Sequence, residues 1–258
     1  VELIKLANLI ISLTKCVACG NRVQALFDIK SSQEVTSDKD VIGNADYAVE
    51  FRGVSLKYKN AGEESLTGMD FAVKRGETVG IIGGTGSGKS SLVNMIPRFY
   101  DASAGEVLIG GRDVKSFEIP ELRERIGIVP QKAVLFKGSI RDNMRWGKDD
   151  ATDDEILAAA KTAQAADVIE SKGGLDFEIE QGGKNLSGGQ RQRFTIARAL
   201  VRKPEILILD DSASALDFAT DAALRKSIRE MDTNPTVFIV SQRTSSIQHA
   251  DKIIVLDD

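Results

Sequence analysis

The N-terminal segment of the chain is apolar and has the spacing of a helix. Hydrophobic residues recur every three or four positions from residue 1 to about residue 29, and this period predicts an α-helix. Lys5 and Lys15 flank its most apolar part, so the uncharged run is far shorter than the roughly 20 residues that span a bilayer. No small-residue cleavage site follows, as a signal peptide would require. We therefore expect either an ordinary amphipathic helix or the cytoplasmic end of a longer membrane helix.

A polar stretch and then an alternating stretch come next. Residues 30 to about 46 are mostly polar and predict a linker. From Tyr47 to Tyr58 apolar and polar residues alternate, which predicts a strand. The alternation changes phase at Gly53, and this change indicates a β-bulge.

The remainder of the chain switches between strand and helix patterns. Strands are predicted at residues 69–73, 77–82, 105–109, 126–129, 206–209, 237–240 and 253–256. Helices are predicted at residues 89–99, 152–169, 188–201 and 220–231, the second of them opened by a capping box at residues 152–155. Continuous apolar strands are typical of a parallel sheet that is buried on both faces. We expect an α/β fold with a mainly parallel sheet, an antiparallel β section and a helical insert at about residues 132–202.

Composition sets limits on function. The 258 residues form one large domain or two small ones. A net charge of −4 gives the chain no general basic field, so we expect no nucleic-acid partner. Cys16 and Cys19 form a single C-x-x-C, and His249 is the only histidine. We interpret all three as structural, because a zinc site needs more ligands.

The strongest motif directly follows the predicted strand at residues 77–82. It fits the phosphate-loop pattern G-x-x-x-x-G-K-[ST] and consists of Gly83, Gly84, Thr85, Gly86, Ser87, Gly88, Lys89 and Ser90, with Ser91 next to it. Glycines let successive backbone N–H groups turn inward around phosphates. Lys89 is spaced to reach the β- and γ-phosphates, and Ser90 offers a hydroxyl to Mg²⁺. A helix that starts here adds the positive end of its dipole. The motif predicts a site for a nucleoside triphosphate with Mg²⁺.

A second motif makes the class specific. The signature, Leu186 followed by Ser187, Gly188, Gly189 and Gln190, precedes a predicted helix. With it, residues 47–258 resemble the nucleotide-binding domain of an ABC transporter of the exporter type. The resemblance implies a P-loop NTPase that binds ATP and Mg²⁺. It also implies that the signature binds the ATP of another subunit, so that two domains enclose two ATP molecules head to tail.

Four further positions match family elements, and a fifth corresponds to a family element but holds a different residue. By resemblance, Tyr58 stacks on adenine, Gln131 contacts Mg²⁺ and senses the membrane domain, and Asp210 helps to hold Mg²⁺. Asp217 belongs to residues 214–217, the crossing loop, which in the family passes between the two domains. Asp211 stands where the family has the glutamate that polarises the attacking water.

Two positions that serve hydrolysis in the family, Asp211 and Gln242, depart from its pattern. Asp211 is one methylene shorter than glutamate, so its carboxylate falls about 1.5 Å short of the family position. Gln242 stands in place of the switch histidine, and it does not titrate. Gln181, before the signature, is a milder change at a place that is usually acidic. We hypothesise a weak or non-hydrolysing site that works with a different partner subunit; the alternative is a slow homodimer.

The resemblance also places the chain in a larger assembly. Residues 1–29 then form the end of the last membrane helix and residues 30–46 the connector, with the transmembrane domain in the same polypeptide, at the cytoplasmic face of the cell membrane. Family domains continue beyond the last strand, so we expect a shortened C-terminal end. A soluble ABC-type ATPase of DNA repair or translation and a P-loop kinase are the competing classes; the signature argues against the kinase. The sequence does not indicate the transported substrate.

Overall fold

The computed structural model describes residues 2–29, 33–36 and 43–257. Its internal contacts divide the chain into a first unit that ends at Glu34 and a second that begins at Val35. Most of the predicted linker at residues 30–46 lies outside the described residues. The domain boundaries proposed from the sequence therefore stay predictions.

The first unit contains one helix, α1 (Glu2–Phe27), and none of its residues is buried. It has 26 residues, and an 18-residue window within it reaches a mean hydropathy of 1.6; at 1.5 Å per residue the helix is about 39 Å long. Among the described residues it is the one helix that could cross a membrane by length and composition. The sequence argument that the segment is too short is therefore wrong, because it counted only the run between Lys5 and Lys15. Lysine stems lie along apolar surroundings while their ammonium groups reach water.

The second unit alternates strands and helices. Its strands are β1 (Tyr47–Leu56), β2 (Leu66–Lys74), β3 (Thr78–Gly83), β4 (Ala104–Ile109), β5 (Arg112–Asp113), β6 (Ile126–Val129), β7 (Gly138–Ser139), β8 (Glu178–Ile179), β9 (Ile206–Asp210), β10 (Thr236–Val240) and β11 (Lys252–Leu256). Its helices are α2 (Lys89–Met95), α3 (Ile119–Glu124), α4 (Ile140–Arg145), α5 (Asp153–Thr162), α6 (Ala166–Ser171), α7 (Gly188–Leu200), α8 (Phe218–Arg229) and α9 (Thr244–Ile247).

An antiparallel sheet has the strand order β2-β1-β4-β5. The register between β1 and β2 shifts between Phe51 and Val54, and Gly53 between them has φ 56°. Both observations confirm the predicted bulge. Strands β4 and β5 form a hairpin, since Ile109 pairs with Arg112 across the turn between them.

A parallel sheet of five strands forms the centre of the unit, in the order β11-β3-β10-β9-β6. In parallel sheets ligands bind at the carboxyl ends of the strands. At this edge β3 leads into the phosphate loop, β9 ends at Asp210, and β10 leads to Gln242. The topology thus brings together residues that lie far apart in sequence.

Strands β9 and β10 of the parallel sheet are buried on both faces, as their continuous apolar runs predict. Ile208 of β9 packs in a core that also contains Phe51 of the antiparallel sheet. Leu209, the next residue, packs in a second core that contains Phe194 of α7. Full burial of such a side chain contributes roughly 1.5–3 kcal/mol. The helical insert that carries the signature is held to the sheet by this second core.

Two helices differ from the sequence prediction. The helix expected at residues 152–169 is two helices, α5 and α6, because Gln164 between them adopts φ 58°. The helix after the phosphate loop ends at Met95 instead of Phe99, because Pro97 lacks an N–H and its ring clashes with the preceding turn. The capping box that opens α5 is confirmed: Thr152 and Glu155 each accept a hydrogen bond from the other's backbone N–H.

Candidate nucleotide-binding site

The phosphate loop connects β3 directly to α2, as predicted. Gly88 caps α2 with φ 86°, and a Cβ there would lie 2.7 Å from the carbonyl oxygen of Ser65. Gly83 leaves the strand so close to β11 that a Cβ would lie 2.3 Å from the carbonyl oxygen of Leu256. The two glycines therefore constrain the path of the loop for steric reasons, and a glycine-rich backbone of this kind lets successive N–H groups turn toward an anion.

Lys89 lies over this loop. Its Nζ donates to the carbonyl oxygen of Gly83 at 2.9 Å and to that of Gly84, and it lies 3.4 Å from Ser87 Oγ. Ser87 Oγ in turn donates to the carbonyl oxygen of Gly84 at 3.0 Å. The ammonium is thus held among neutral acceptors. Phosphate oxygens are stronger acceptors, since hydrogen bonds to charged groups are roughly twice as strong as neutral ones.

A hydroxyl and a carboxylate meet beside the loop. Ser90 Oγ donates to Asp210 Oδ1 at 3.1 Å. Burial raises the pKa of Asp210 above its ordinary value, and the nearby Asp211 adds to the effect, while the Ser90 hydrogen bond and Lys89 oppose it. Among the described residues no group of three or more His, Cys, Asp or Glu side chains that could hold a metal ion is present. The Ser90 hydroxyl and the Asp210 carboxylate suit Mg²⁺, which is typically held by one or two carboxylates together with substrate phosphates.

The adjacent carboxylate belongs to Asp211, whose backbone is constrained. Asp211 has φ 47°, a left-handed conformation that is uncommon outside glycine and often marks functional sites. Its N–H donates to the carbonyl oxygen of Val240 at 2.9 Å, which ties it to β10. Gln131, which follows β6, donates from Nε2 to Asp211 Oδ2 at 3.3 Å. The structure thus joins two predicted catalytic residues that are far apart in sequence.

One cleft collects most of the predicted site. Its lining includes Lys89, Ser90, Gln131, Asp210, Asp211 and Gln242. Gln242 is exposed, and Ser241 before it donates its N–H to the carbonyl oxygen of Ile81 in β3 at 3.1 Å. The cleft therefore combines the Lys89 ammonium, a candidate Mg²⁺ site at Ser90 and Asp210, and the two residues that depart from the family pattern.

Tyr58 is tied to this cleft through Ser91. The Tyr58 hydroxyl and Ser91 Oγ are 2.7 Å apart, and Ser91 itself lines the cleft. The ring of Tyr58 meets Tyr100 edge to face, with centroids 5.0 Å apart. Sequence reasoning missed Tyr100, although an aromatic residue just past the helix of a phosphate loop was a signal that could have indicated it.

The signature lies outside this cleft, at the start of α7. Ser187 is the N-cap: its Oγ accepts from the Gln190 N–H at 3.2 Å, and Gln190 Oε1 accepts from the Ser187 N–H at 2.9 Å. A Cβ on Gly189 would lie 3.2 Å from the carbonyl oxygen of Ala215 in the crossing loop. Gly188, Ala215 and Gln131 line a second cleft. Gln131 therefore lies between the two clefts.

Asp217 ends the crossing loop and caps α8. Its side chain accepts from the Thr220 N–H at 2.9 Å and from Thr220 Oγ1 at 2.7 Å. These hydrogen bonds to the carboxylate hold the pKa of Asp217 below its ordinary value. The residue therefore has a structural role in the chain itself, in addition to the role that the resemblance implies.

The parallel sheet, the phosphate loop and the signature define an ABC-type P-loop ATPase. A family profile described as "ABC transporter" matches residues 66–214, more than half of the chain. The chain belongs to the ABC transporter family, and the predicted fold class and family are thereby confirmed. The family binds ATP, generally with Mg²⁺.

Particular relatives narrow the comparison. The chain is 39% identical to an uncharacterized ABC transporter ATP-binding protein, YfiB of Bacillus subtilis (strain 168), over 97% of this chain and 43% of the relative. It is 40% identical to the putative multidrug export ATP-binding/permease protein YgaD of the same organism, over 98% of this chain and 44% of the relative. A solved structure of a bacterial Atm1-family ABC exporter with ATP bound has a TM-score of 0.87 and 35% identity, over 95% of this chain and 43% of that one. The chain thus spans less than half the length of these relatives.

Proposed function

We propose that this chain is the ATP-binding part of an ABC exporter that dimerises around ATP to drive transport across a membrane. The observation that carries the proposal is the 3.1 Å contact between Ser90 and Asp210 beside the phosphate loop, on a chain that also carries a capped signature helix. A simple nucleotide-binding enzyme such as a kinase has no use for the second feature. Both features are needed in an assembly of two such domains.

ATP binding follows from the side chains of the cleft. Lys89 reaches the β- and γ-phosphates when it exchanges its carbonyl partners for phosphate oxygens. Ser90, Asp210 and Gln131 supply the oxygens that suit Mg²⁺, which neutralises phosphate charge when bound. Tyr58 offers its ring to adenine, and its hydrogen bond to Ser91 fixes where that ring lies. Each of these roles rests on the family resemblance and on the geometry of the chain.

Hydrolysis at this site is proposed to be weak. Asp211 is fixed at its backbone by the hydrogen bond to Val240, so the residue cannot move forward to replace the missing methylene. A 1 Å misplacement of a catalytic group costs on the order of 10²-fold in rate. Gln242 donates a hydrogen bond but carries no charge to stabilise a phosphate in transition. Binding is retained because none of its residues is altered.

The partner is proposed to be a different ABC chain. Ser187, Gly188 and Gly189 keep the family pattern, and the start of α7 directs backbone N–H groups and a positive dipole end outward. This intact signature would complete the active site on the partner, while the altered cleft of this chain retains its nucleotide. The alternative is a homodimer with slow turnover. In the heterodimer the partner's site hydrolyses ATP, whereas in the homodimer the cleft of this chain does so slowly.

We propose that the complete protein is anchored in a membrane. The apolar helix α1 has no buried residue, and the matched relative YgaD is described as an ATP-binding/permease protein. Both observations support a transmembrane domain in the same polypeptide, with this chain at the cytoplasmic face of the cell membrane. The exposed apolar helix also favours an exporter over a soluble ABC-type ATPase.

The test is ATP turnover by the complete protein, alone and assembled with its partner. We expect Mg²⁺-dependent ATP binding by the protein alone, with turnover far below the usual 1 to 10³ s⁻¹ of enzymes. The double variant Asp211→Glu/Gln242→His should hydrolyse on the order of 10²-fold faster. Lys89→Ala, which abolishes binding, is the control. Brisk hydrolysis by the unaltered protein alone would replace the asymmetric proposal with a self-sufficient homodimer.

A further inference from the structure

The crossing loop lies against the signature. The carbonyl oxygen of Ala215 is so near Gly189 that an added Cβ would be 3.2 Å away. Leu216 is buried, whereas Ser214 and Ala215 are exposed. The loop therefore presents one surface to the signature and another to solvent, and its position sets the shape of the surface beside Ser187.

One side chain, that of Arg243, donates to three backbone carbonyl oxygens in and next to the crossing loop. Arg243 Nη1 donates to the carbonyl oxygens of Ala213 at 3.2 Å and Leu216 at 3.1 Å, and Nη2 donates to that of Ser214 at 3.1 Å. Its guanidinium also lies over the ring of Phe218, 5.3 Å from the centroid. A planar fork of fixed N–H groups suits such a set of acceptors, whereas a lysine ammonium is a point charge.

Arg243 itself is anchored at the nucleotide cleft. It is next to Gln242, and its N–H donates to Ser241 Oγ at 2.9 Å. Ser241 is buried and bonded to β3 through Ile81. The guanidinium thus connects a segment that is fixed to the parallel sheet with a loop that is not part of the sheet.

A second set of contacts joins α8, which follows the crossing loop, to the residues that follow Arg243. Asp221 of α8 is 3% exposed, and its carboxylate lies 3.0 Å from Arg225 Nη2 and accepts from Ser246 Oγ at 3.1 Å. Arg225 Nη1 also donates to the carbonyl oxygen of Ser245 at 2.8 Å. Helices α8 and α9 are therefore joined to each other. Among the described residues 241–247, Arg243 is the one whose side chain donates hydrogen bonds to carbonyl oxygens of the loop.

We propose that Arg243 is a positioning residue that holds the crossing loop against the signature and so links the nucleotide cleft of this chain to the surface that meets the nucleotide of a partner. The proposal rests on the proposed function, because it assumes that a second ABC domain faces the signature. It adds a residue that acts through backbone carbonyls and contacts neither nucleotide. Its loss should therefore affect turnover in the assembly more than ATP binding by the chain.

The test uses the full-length protein assembled with its partner. Arg243→Met removes the guanidinium and keeps an unbranched apolar stem, and Arg243→Lys keeps the charge without the fork. Arg229→Met, an exposed arginine of α8, is the matched control. Three quantities are measured: ATP affinity, steady-state ATP turnover, and hydrogen exchange of the loop amides, of which Leu216 N–H bonds to the carbonyl oxygen of Ala213 at 3.0 Å.

For Arg243→Met we expect faster amide exchange at residues 213–217, unchanged ATP affinity and turnover lowered on the order of 10-fold or more. Arg243→Lys should lie between this variant and the unaltered protein, and Arg229→Met should match the unaltered protein. Unchanged amide exchange in both Arg243 variants would overturn the positioning role. Faster exchange with normal turnover would overturn the link to the partner.

The design separates this proposal from the proposed function. If the unaltered assembly does not turn over ATP, the proposed function fails, yet amide exchange still tests whether Arg243 holds the loop. Should Arg243→Met not fold, Arg243→Lys provides the same readouts with the charge retained. A uniform rise in exchange over the whole domain, in both variants, would mean that Arg243 acts on global stability, and the proposal would be wrong.

Discussion

Replacing Gly83 by alanine should damage the nucleotide site through steric contact alone. Gly83 is the last residue of β3 and pairs with Leu256 of β11. A Cβ there would lie 2.3 Å from the carbonyl oxygen of Leu256 and 2.6 Å from Ser87 Oγ, against 3.4 Å or more for ordinary contacts. The φ of Gly83 is outside the left-handed region, so alanine would meet no conformational penalty.

The magnitude follows from these distances. Ser87 can rotate its hydroxyl away, but the carbonyl of Leu256 belongs to a strand, so β11 or the loop must move by about 1 Å. Overpacking of this kind costs typically 1–3 kcal/mol. The carbonyl oxygen of Gly83 also accepts from Lys89 Nζ at 2.9 Å, so the same shift displaces the phosphate-binding ammonium. We expect ATP affinity to fall about tenfold, which corresponds to about 1.4 kcal/mol.

Urea unfolding and titration with a fluorescent ATP analogue measure the two effects. Gly62→Ala is the matched control, because Gly62 is exposed, a Cβ there meets nothing within 4 Å, and its φ is not left-handed. That control should change stability by less than about 0.5 kcal/mol and leave ATP affinity unaltered. If Gly83→Ala behaves like Gly62→Ala in both assays, the close approach of β11 to the loop does not constrain the site.

Three further predictions concern the ends of β9, α7 and α8. Asp210→Asn should raise the free energy of unfolding at neutral pH by up to about 1 kcal/mol and should weaken Mg²⁺-dependent ATP binding. Burial raises the pKa of Asp210, so its ionised carboxylate opposes folding at neutral pH and this cost is lost as the carboxyl group becomes protonated. The gain in stability should therefore diminish as the pH falls, in unfolding measured from pH 7 to 4. Ser187→Ala should cost about 1 kcal/mol by loss of the α7 cap; Ser187→Asp should keep that stability, yet both should lower ATP turnover of the assembly. Asp221→Ala should cost about 3 kcal/mol in urea unfolding because it leaves a buried ion pair incomplete, whereas Lys226→Ala, which breaks an exposed pair with Glu230, should cost less than about 0.5 kcal/mol. A small loss for Asp221→Ala would mean that Arg225 is satisfied by other partners.

The sheet and the phosphate loop were predictable because each rests on a local pattern. The runs at residues 206–209 and 237–240 are apolar at every position, which is typical of a strand buried on both faces. The phosphate loop needs a strand before it and a helix after it, and both patterns flank Gly83 and Lys89 in the sequence. Because ligands bind at the carboxyl ends of the strands in such a sheet, the residues that follow β3, β9 and β10 are expected to lie at one edge.

The break between α5 and α6 could not be predicted, because its cause is tertiary. The sequence around Gln164 is rich in alanine and favours a continuous helix. In the fold, Gln164 Nε2 donates to Ser227 Oγ of α8 at 2.9 Å, and Arg193 of α7 donates to the Gln164 carbonyl. Contacts from two other helices thus hold a left-handed residue that local propensity would not select.

Arg243 escaped sequence reasoning for a related reason. Its partners in and next to the crossing loop are backbone carbonyls. Every residue has a backbone carbonyl, so the sequence does not indicate which of them accept a hydrogen bond. The pairing of Ser91 with Tyr58 was missed because it joins residues 33 positions apart without a charge on either. Motifs indicate which residues meet a ligand, whereas the residues that position them are visible only in the fold.

Asp211 and Gln242, the two departures from the family pattern, affect hydrolysis, whereas the phosphate loop and Lys89 determine nucleotide binding. Nucleotide binding depends on the backbone path at Gly83 and Gly88 and on the charge of Lys89, and a moderate change in a nearby side chain alters none of them. Hydrolysis depends on where two side-chain ends lie, and Asp211 is held at its backbone so that one methylene decides the distance. Loss of hydrolysis with retention of binding therefore needs only two side-chain substitutions and no change of fold. This asymmetry is the physical reason why a chain with an intact signature could serve a partner's site while holding ATP in its own.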